Sequence, residues 1–302
     1  MTATRTGTSG GDGEAVFSAE RARLLGLAYR MTGSLSEAED VVQDAWLRWS
    51  GTDRRAVDNP AAWLTTVATR LSLDRLKAID RRRADYVGEW LPEPVATNRG
   101  PEEAAEVADS LTLGFLVMLD RLTPLERAAF LLADVFSEPY ASIATTTLGR
   151  SPEACRQIAS RARHKLHQDR GDDQGPDRSG DDAELLGRLV AAVLAGDAAA
   201  VVDLLDPDVV LVSDGGPTRR AARRPVVGPE RVARLLVNLA GRVQARTAMS
   251  LIELNGRPSL RFEPDDGPFV MQIDQRHGRI CSVWFVLNPE KLHGLDDVAS
   301  LR

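Results

Sequence analysis

The stretch GRSPEACRQIASRARHKL (residues 149–166) decides how the first half of the chain is read. Its Gly149-Arg150-Ser151-Pro152 turn, with proline at the first helical position, releases a helix that runs to about His167. On that helix Cys155, Ile158, Ala159, Ala162 and Leu166 make a buried stripe, which leaves Glu153, Arg156, Gln157, Ser160, Arg163 and His164 outward. Just upstream, Thr123-Pro124-Leu125-Glu126 is a capping box with proline at its first helical position; it opens a helix over residues 126–135, and 140–148 supplies another. This is helix-turn-helix spacing. Arginine can bond guanine bidentately, glutamine can bond adenine, and the remaining cations can neutralise phosphates. Helical hairpins with solvated basic faces look similar, so the flanking sequence has to arbitrate.

Further upstream, the Ser36-x-x-Glu39 capping box opens a helix with Ala38, Val41, Val42, Ala45 and Trp49 inward and Asp40, Gln43, Asp44 and Leu47 on the opposite face. Asn59-Pro60 then caps a long helix with Leu64, Val67, Ala68 and Leu71 inward, ending in Arg81-Arg82-Arg83. Downstream the character changes. Helices over residues 184–194, 198–205 and 229–239 are interleaved with strand-like runs at 209–213, 247–254, 259–263, 269–274 and 280–287. Asn255-Gly256, Asp266-Gly267 and His277-Gly278 are hairpin signals, and the whole reads as an α+β cone with a curved antiparallel sheet. Such a domain commonly encloses a pocket, here lined by Met249, Ile252, Phe262, Phe269, Met271 and Trp284 unless these are ordinary core.

Two joints divide these segments. WLPEPVATNRGP (residues 90–101) holds three prolines and a glycine, and RGDDQGPDRSGDD (170–182) has no apolar residue to bury. The expected organisation is a flexible tail over 1–14, helical domains over 15–90 and 110–170, linkers over 91–109 and 171–182, and the cone over 183–302. A net charge of −6 hides two basic islands: residues 70–83 and 150–170 each carry six cations and two carboxylates, around a stretch (85–138) with three cations and eleven carboxylates. With only Cys155 and Cys281 no disulfide framework or structural zinc can be written, and His164, His167, His277 and His293 show no metal spacing, so neither metal nor cofactor is expected. The absence of a long apolar run argues against a membrane span, and a reducing cytoplasm is the natural compartment.

The two helical blocks resemble regions 2 and 4 of the sigma-70 family of RNA polymerase sigma factors. EAEDVVQDAWLRW (37–49) and NPAAWLTTVATRLSLDRLKAIDRRR (59–83) carry the first, and MLDRLTPLERAAFLLADVFSEPYASIA (118–144) with 149–166 carries the second. YVGEWLPEP (86–94), Asp214-Gly215-Gly216, AARRPVVG (221–228) and NPEKL (288–292) are similar to the extracytoplasmic-function subgroup with a fused SnoaL-like domain, a fold also called nuclear-transport-factor-2-like. The family's DGGGK turn reads Asp214-Gly215-Gly216-Pro217-Thr218 here, and Thr145-Thr146-Thr147-Leu148 is one residue longer than usual before Gly149.

The resemblance implies an alternative sigma factor, monomeric when free, that binds core RNA polymerase and promoter DNA. It assigns polymerase binding to Asp40, Gln43, Asp44 and Leu47, and the downstream promoter element to the 51–59 loop with Trp63, Arg70, Arg75, Lys77, Arg81, Arg82 and Arg83. The upstream element falls to Glu153, Arg156, Gln157, Ser160 and Arg163. Regulation in cis by the third domain would run through Tyr86, Trp90, Pro92, Asp214, Gly215, Gly216, Asn288, Pro289 and Lys291, because Tyr86, Val87, Trp90 and Leu91 form an apolar cluster that a proline-interrupted segment cannot bury alone. Core packing remains an alternative for Trp63, and packing onto the region 2 helices for Trp90. A small ligand in the cone stays open.

Two rivals remain. A ketosteroid-isomerase-like enzyme fused to a DNA-binding domain would pair a carboxylate base with a Tyr or Asp donor; Asp208, Asp214, Asp274 and His277 are available, but turn and cap chemistry accounts for all except Asp274, and Tyr29, Tyr86 and Tyr140 lie outside the third domain. A ligand-responsive helix-turn-helix regulator would have no use for residues 37–83.

Overall fold

Helix α1 (Ser9–Thr32) begins well inside the expected flexible tail, because Trp49 Nε1 donates to the Gly13 carbonyl at 2.8 Å and pins the first turns. Helix α2 (Leu35–Ser50) packs along it. The α2 cap is Ser34, not Ser36: α1 closes with the Gly33 N–H on the Tyr29 carbonyl, so the chain turns at once and the extended Ser34 accepts from the Glu37 N–H. The stripe Ala38, Val41, Val42, Ala45 and Trp49 is buried as the periodicity requires. Asn59 caps α3 (Pro60–Ala84) by accepting from the Ala62 N–H, and Leu64, Val67, Ala68 and Leu71 are buried.

The computed structural model describes residues 9–97, 112–168, 182–241 and 247–295, which fall into two units. The first eight residues, most of the 91–109 linker and nearly all of the 171–182 linker lie outside the described residues. Unit one comprises 9–81 and 119–168; unit two comprises 82–97, 112–118 and 182–295. Helix α4 (Leu113–Leu119) spans the division, with 113–118 grouped in unit two and Leu119 in unit one.

In unit one, helix α5 (Pro124–Phe130) opens on the Thr123/Glu126 capping box and widens into a π-helical turn over Leu131–Val135. Short α6 (Tyr140–Ser142) widens in the same way over Ile143–Leu148 before α7 (Pro152–Gln168). A π turn holds about one residue more than an α turn, and this one closes on Gly149 in the left-handed region. Arg127, buried in α5, donates to the Met31 carbonyl (2.9 Å) and pairs with Asp120 (2.7 Å). Arg23 and Arg30 both lie 5.4 Å from the Phe136 ring centroid, and burial lowers the Arg30 guanidinium to about 10.

Unit two is an α+β cone. Helices α8 (Asp182–Leu194), α9 (Ala198–Leu204) and α10 (Pro229–Ala240) pack on a six-stranded sheet in the order β2-β1-β6-β5-β4-β3. Its strands are β1 (Leu205–Asp214), β2 (Val226–Val227), β3 (Ala248–Leu254), β4 (Arg257–Glu263), β5 (Phe269–Arg276) and β6 (Arg279–Val286). The sheet is mixed, which corrects the antiparallel expectation: β1 runs parallel to β6, and β2, the single helix α10 and the β3–β5 meander form the connection between them. Asn255-Gly256 and His277-Gly278 are hairpin turns with positive φ at both residues.

The sheet has two covered faces. The inner face (Leu211, Leu260, Met271, Ile273, Val283, Phe285) packs against α8, α9 and α10. The outer face (Val212, Ile252, Leu254, Val270, Trp284, Val286) is covered by Leu91 and Ala96 of the linker, Leu113 and Val117 of α4, and Leu292 and Leu295. Among the described residues no helix is long and apolar enough to cross a membrane.

Candidate functional site

On α2, Asp40, Gln43 and Leu47 are exposed and Asp44 half-buried, opposite the core stripe, and Leu47 keeps 61% of its surface in solvent. An exposed leucine at the end of a row of two carboxylates and a glutamine marks a face suited to a partner with apolar and cationic groups. Arg75 of α3, expected toward promoter DNA, instead meets this ridge. Its Nη1 donates to Glu37 Oε2 (3.1 Å) and Asp40 Oδ2 (3.0 Å), and its Nη2 to Asp44 Oδ2 (3.2 Å). Burial opposes the Arg75 charge, but hydrogen bonds to Asp44 and Glu37 outweigh it and hold the guanidinium above its ordinary range.

The other cations of α3 are spread along its length. Arg70 is exposed and its Nε donates to the Thr147 carbonyl at 3.4 Å; Lys77 pairs with Asp74 (3.1 Å), and Arg81 Nε reaches the Lys77 carbonyl (3.2 Å). Arg81 and Arg82 are exposed, whereas Arg83 lies 5.0 Å from the Trp90 ring centroid. Trp63 is half-buried, its ring 5.5 Å from that of Trp49, so it joins the edge of the core and still presents a surface.

On α7 the stripe Cys155, Ile158, Ala159, Ala162 and Leu166 is buried, and Glu153, Arg156, Gln157 and Ser160 are exposed. Arg156 pairs with Glu153 (2.8 Å) at the solvent surface. Arg163 departs from the expected outward placement: it donates to Asp134 Oδ1 (2.8 Å) and to the Tyr140 hydroxyl (2.7 Å), and the Asp134 bond raises its affinity for its proton. It ties α7 to the preceding helices. Lys165 pairs with Glu126 (2.7 Å), the capping-box carboxylate, which that bond and the Thr123 bonds hold below its ordinary range despite desolvation.

The residues singled out for regulation come together within unit two. Asp214, fully buried at the end of β1, accepts from the Tyr86 hydroxyl (2.5 Å), the Leu91 N–H (2.9 Å), the Gly216 N–H (3.0 Å) and the Lys291 ammonium (2.6 Å). Lys291 also donates to the Leu91 carbonyl (2.5 Å) and sits 3.5 Å from the Trp90 ring centroid. One ion pair thus grips both backbone groups of a linker residue. Asn288 caps the turn begun by Pro289 and donates to the Tyr86 oxygen (2.9 Å), while Gly216, at φ 60°, leaves room for the Asn288 amide that any side chain would displace. Pro92 and Gly215 are buried beside them.

Further along, the Asn255-Gly256 hairpin clasps the linker. The Asn255 N–H donates to the Val95 carbonyl (2.8 Å), its side chain accepts from the Val95 N–H (3.0 Å), Thr97 N–H reaches the Glu253 carbonyl (3.2 Å), and Gly256 N–H reaches Thr97 Oγ1 (3.0 Å). Sequence reasoning had Asn255 only as a turn residue; the Asn-Gly pair signalled the hairpin but not its partner. Trp90 is held by Lys291 and Arg83, and Val87 is exposed rather than part of the buried cluster, because the chain turns there with Gly88 at φ 94°.

Two enzymatic expectations change. Tyr86, set aside because it lies outside 183–302, does reach a buried carboxylate of the cone, so Asp214 is more than a turn residue. Burial first, and then the Asp214 bond, raise the Tyr86 phenol, which acts as a hydrogen-bond donor in a site filled by the chain's own Leu91 and Lys291. Asp274 is buried on the outer face, accepts from Trp284 Nε1 (3.1 Å), and is raised by desolvation. Gly114 of α4 lies on its carboxylate, leaving no space for a Cβ. The six residues considered for a pocket do not share one: Phe262, Phe269 and Met271 belong to the inner face, Ile252 and Trp284 to the outer, and Met249 is exposed. Their alternative as ordinary sheet core holds for all but Met249. Among the described residues no three His, Cys, Asp or Glu side chains are grouped to hold a metal.

Comparison with known proteins agrees with this layout. Family models for Sigma-70 region 2 and Sigma-70, region 4 match residues 16–82 and 113–166. The chain is 39% identical over 292 residues to the ECF RNA polymerase sigma factor SigJ of Mycobacterium tuberculosis, covering 92% of each protein. It is 37% identical over 159 residues to the probable ECF RNA polymerase sigma factor SigI of the same species, covering 52% of this chain and 54% of that one. A crystal structure of Mycobacterium tuberculosis SigJ superposes with a TM-score of 0.76 at 37% identity, over 93% of this chain and 98% of the other. With both sigma-70 regions in order and a relative aligned along nearly the entire length, the chain belongs to the extracytoplasmic-function sigma factors of RNA polymerase.

Proposed function

We propose that this chain is an alternative sigma subunit that docks on core RNA polymerase through the Asp40, Gln43, Asp44 and Leu47 face of α2 and directs initiation at promoters with two elements. Residues 51–59 and the exposed Arg70, Arg81 and Arg82 meet the downstream element, with Trp63 at its edge; Arg156, Gln157, Ser160 and Glu153 meet the upstream one. No catalytic residue is required: grip on phosphates and on unstacked bases does the work. Such a subunit acts as a monomer, in the cytoplasm, where its polymerase is.

The observation that carries this reading is Leu47, a largely exposed leucine on the solvent face of α2, one turn beyond Gln43 and Asp44. The cone then acts in cis by clamping residues 86–97, the segment that follows α3 and its cations. Release of that clamp would alter the spacing available to the two DNA-reading parts. Equilibrium binding of the full chain to purified core polymerase tests the docking face: Asp44→Arg or Asp40→Arg should abolish binding with an unchanged melting temperature. Retained binding would remove this face from the account, and a large fall in melting temperature would contradict its exposed placement.

A further inference from the structure

Arg75 has an environment that its place in the basic block of α3 does not explain. Its guanidinium spans three carboxylates of α2, spaced i, i+3 and i+7 along one ridge, and takes one oxygen from each. Like charges at that spacing repel and, left alone, would turn their side chains apart into solvent. A planar fork with two nitrogens on three oxygens fixes them instead. Three carboxylates against one guanidinium keep the ridge net negative. The second oxygens of Asp40 and Asp44 accept from no other described residue and face solvent, while Leu47 lies exposed one turn beyond Asp44.

We propose that Arg75 is a positioning residue for polymerase docking: it holds Asp40 and Asp44 in the array that receives a cationic partner surface, and it does not itself read promoter DNA. This rests on the assignment of Asp40 and Asp44 to the polymerase. The sign of the effect separates positioning from simple charge. Removing a cation from an acidic docking face should strengthen attraction to a basic partner if long-range electrostatics dominate. Removing the group that fixes two carboxylates should weaken binding, because their ordering must then be supplied on association.

The test uses the full chain and purified core polymerase without DNA, with Arg75→Met, Arg75→Lys and Asp44→Arg, followed by promoter binding of the assembled holoenzymes. Arg75→Met should weaken core binding about fivefold, on the order of one ordered side-chain pair. Arg75→Lys, which keeps the charge but loses the fork, should fall between Arg75→Met and the wild type. Promoter affinity, once the holoenzyme is saturated, should not change. Core binding by Arg75→Met as tight as wild type, or tighter, overturns the proposal; so does a loss confined to the promoter step, which would assign Arg75 to DNA. If Arg75→Met lowers the melting temperature, Arg75→Lys decides: wild-type core affinity refutes the fork. Intact binding by Asp44→Arg would instead sink the underlying assignment of the face.

Discussion

Lys291→Met probes the clamp most sharply, because it removes the cation paired with a carboxylate that has no solvent access. The Lys291 ammonium and Asp214 Oδ2 lie 2.6 Å apart, with side-chain exposures of 7% and 0%. Breaking a buried pair by deleting one partner costs about 3 to 5 kcal/mol. Asp214 would keep three donors, the Tyr86 hydroxyl and the Leu91 and Gly216 N–H groups, which argues for the lower end, about 3 kcal/mol. The Leu91 carbonyl would lose its donor and the Trp90 ring its cation, so the loss should concentrate in the linker. At about 1.4 kcal/mol per decade, opening of residues 86–97 should become roughly 100-fold more frequent. Hydrogen exchange at the Leu91 and Val95 amides reads this directly. A second variant controls for lone charge: Asp214→Asn with Lys291→Met leaves no buried ion and should recover part of the loss. Unchanged Leu91 protection in Lys291→Met, or a double variant as unstable as the two singles summed, would contradict a buried Lys291–Asp214 pair holding the linker.

Gly114→Ala should loosen α4, since a Cβ would overlap the Asp274 carboxylate held by Trp284; overpacking of about 1 to 3 kcal/mol outweighs the roughly 1 kcal/mol gained in helix propensity, and faster exchange at residues 113–118 checks it. Increased protection there would contradict that close approach. Desolvation places the Asp274 carboxyl above its unfolded value of about 3.9, so the folded state binds more protons and stability falls as pH rises through and beyond about 4. Asp274→Asn removes that penalty; its melting temperature relative to wild type should rise from pH 4 to pH 7, and a constant difference would argue against a buried, raised acid. Arg156→Ala should cost about 1 to 3 kcal/mol of promoter affinity, selectively at one upstream base pair; an equal loss on every upstream sequence would assign Arg156 to phosphate.

What was legible in the sequence was local. The stripes of α2, α3 and α7, the Thr123/Glu126 and Asn59 caps and the two hairpins at 255–256 and 277–278 follow from periodicities of four residues or fewer. The parallel β1–β6 pairing did not, because it depends on which distant strands become neighbours and on the path of the entire connection between them. Nor did Arg75 or Arg163, whose cationic character is visible but whose carboxylate partners sit 31 to 38 and 29 residues away. The clamp is an intermediate case: an apolar cluster among prolines announced that residues 86–94 needed a cover, and the resemblance supplied the segments. That Asp214 would take four donors at once is a property of the folded turn. Ser34 displaced Ser36 as a cap because α1 closes at Thr32 and the turn at Gly33 lets α2 begin at Leu35, two residues before the capping-box pattern placed its start.

As a sigma factor, this chain gives core polymerase a promoter specificity of its own. Transcription by core enzyme freed of other sigma factors, supplemented with the full chain on a random-sequence DNA library and read by 5′-end sequencing, tests it most directly. The expected result is a set of chain-dependent start sites sharing two sequence elements at a fixed separation, with the upstream element degraded by Arg156→Ala. Start sites no more frequent than with core alone, or lacking any common upstream element, would contradict it.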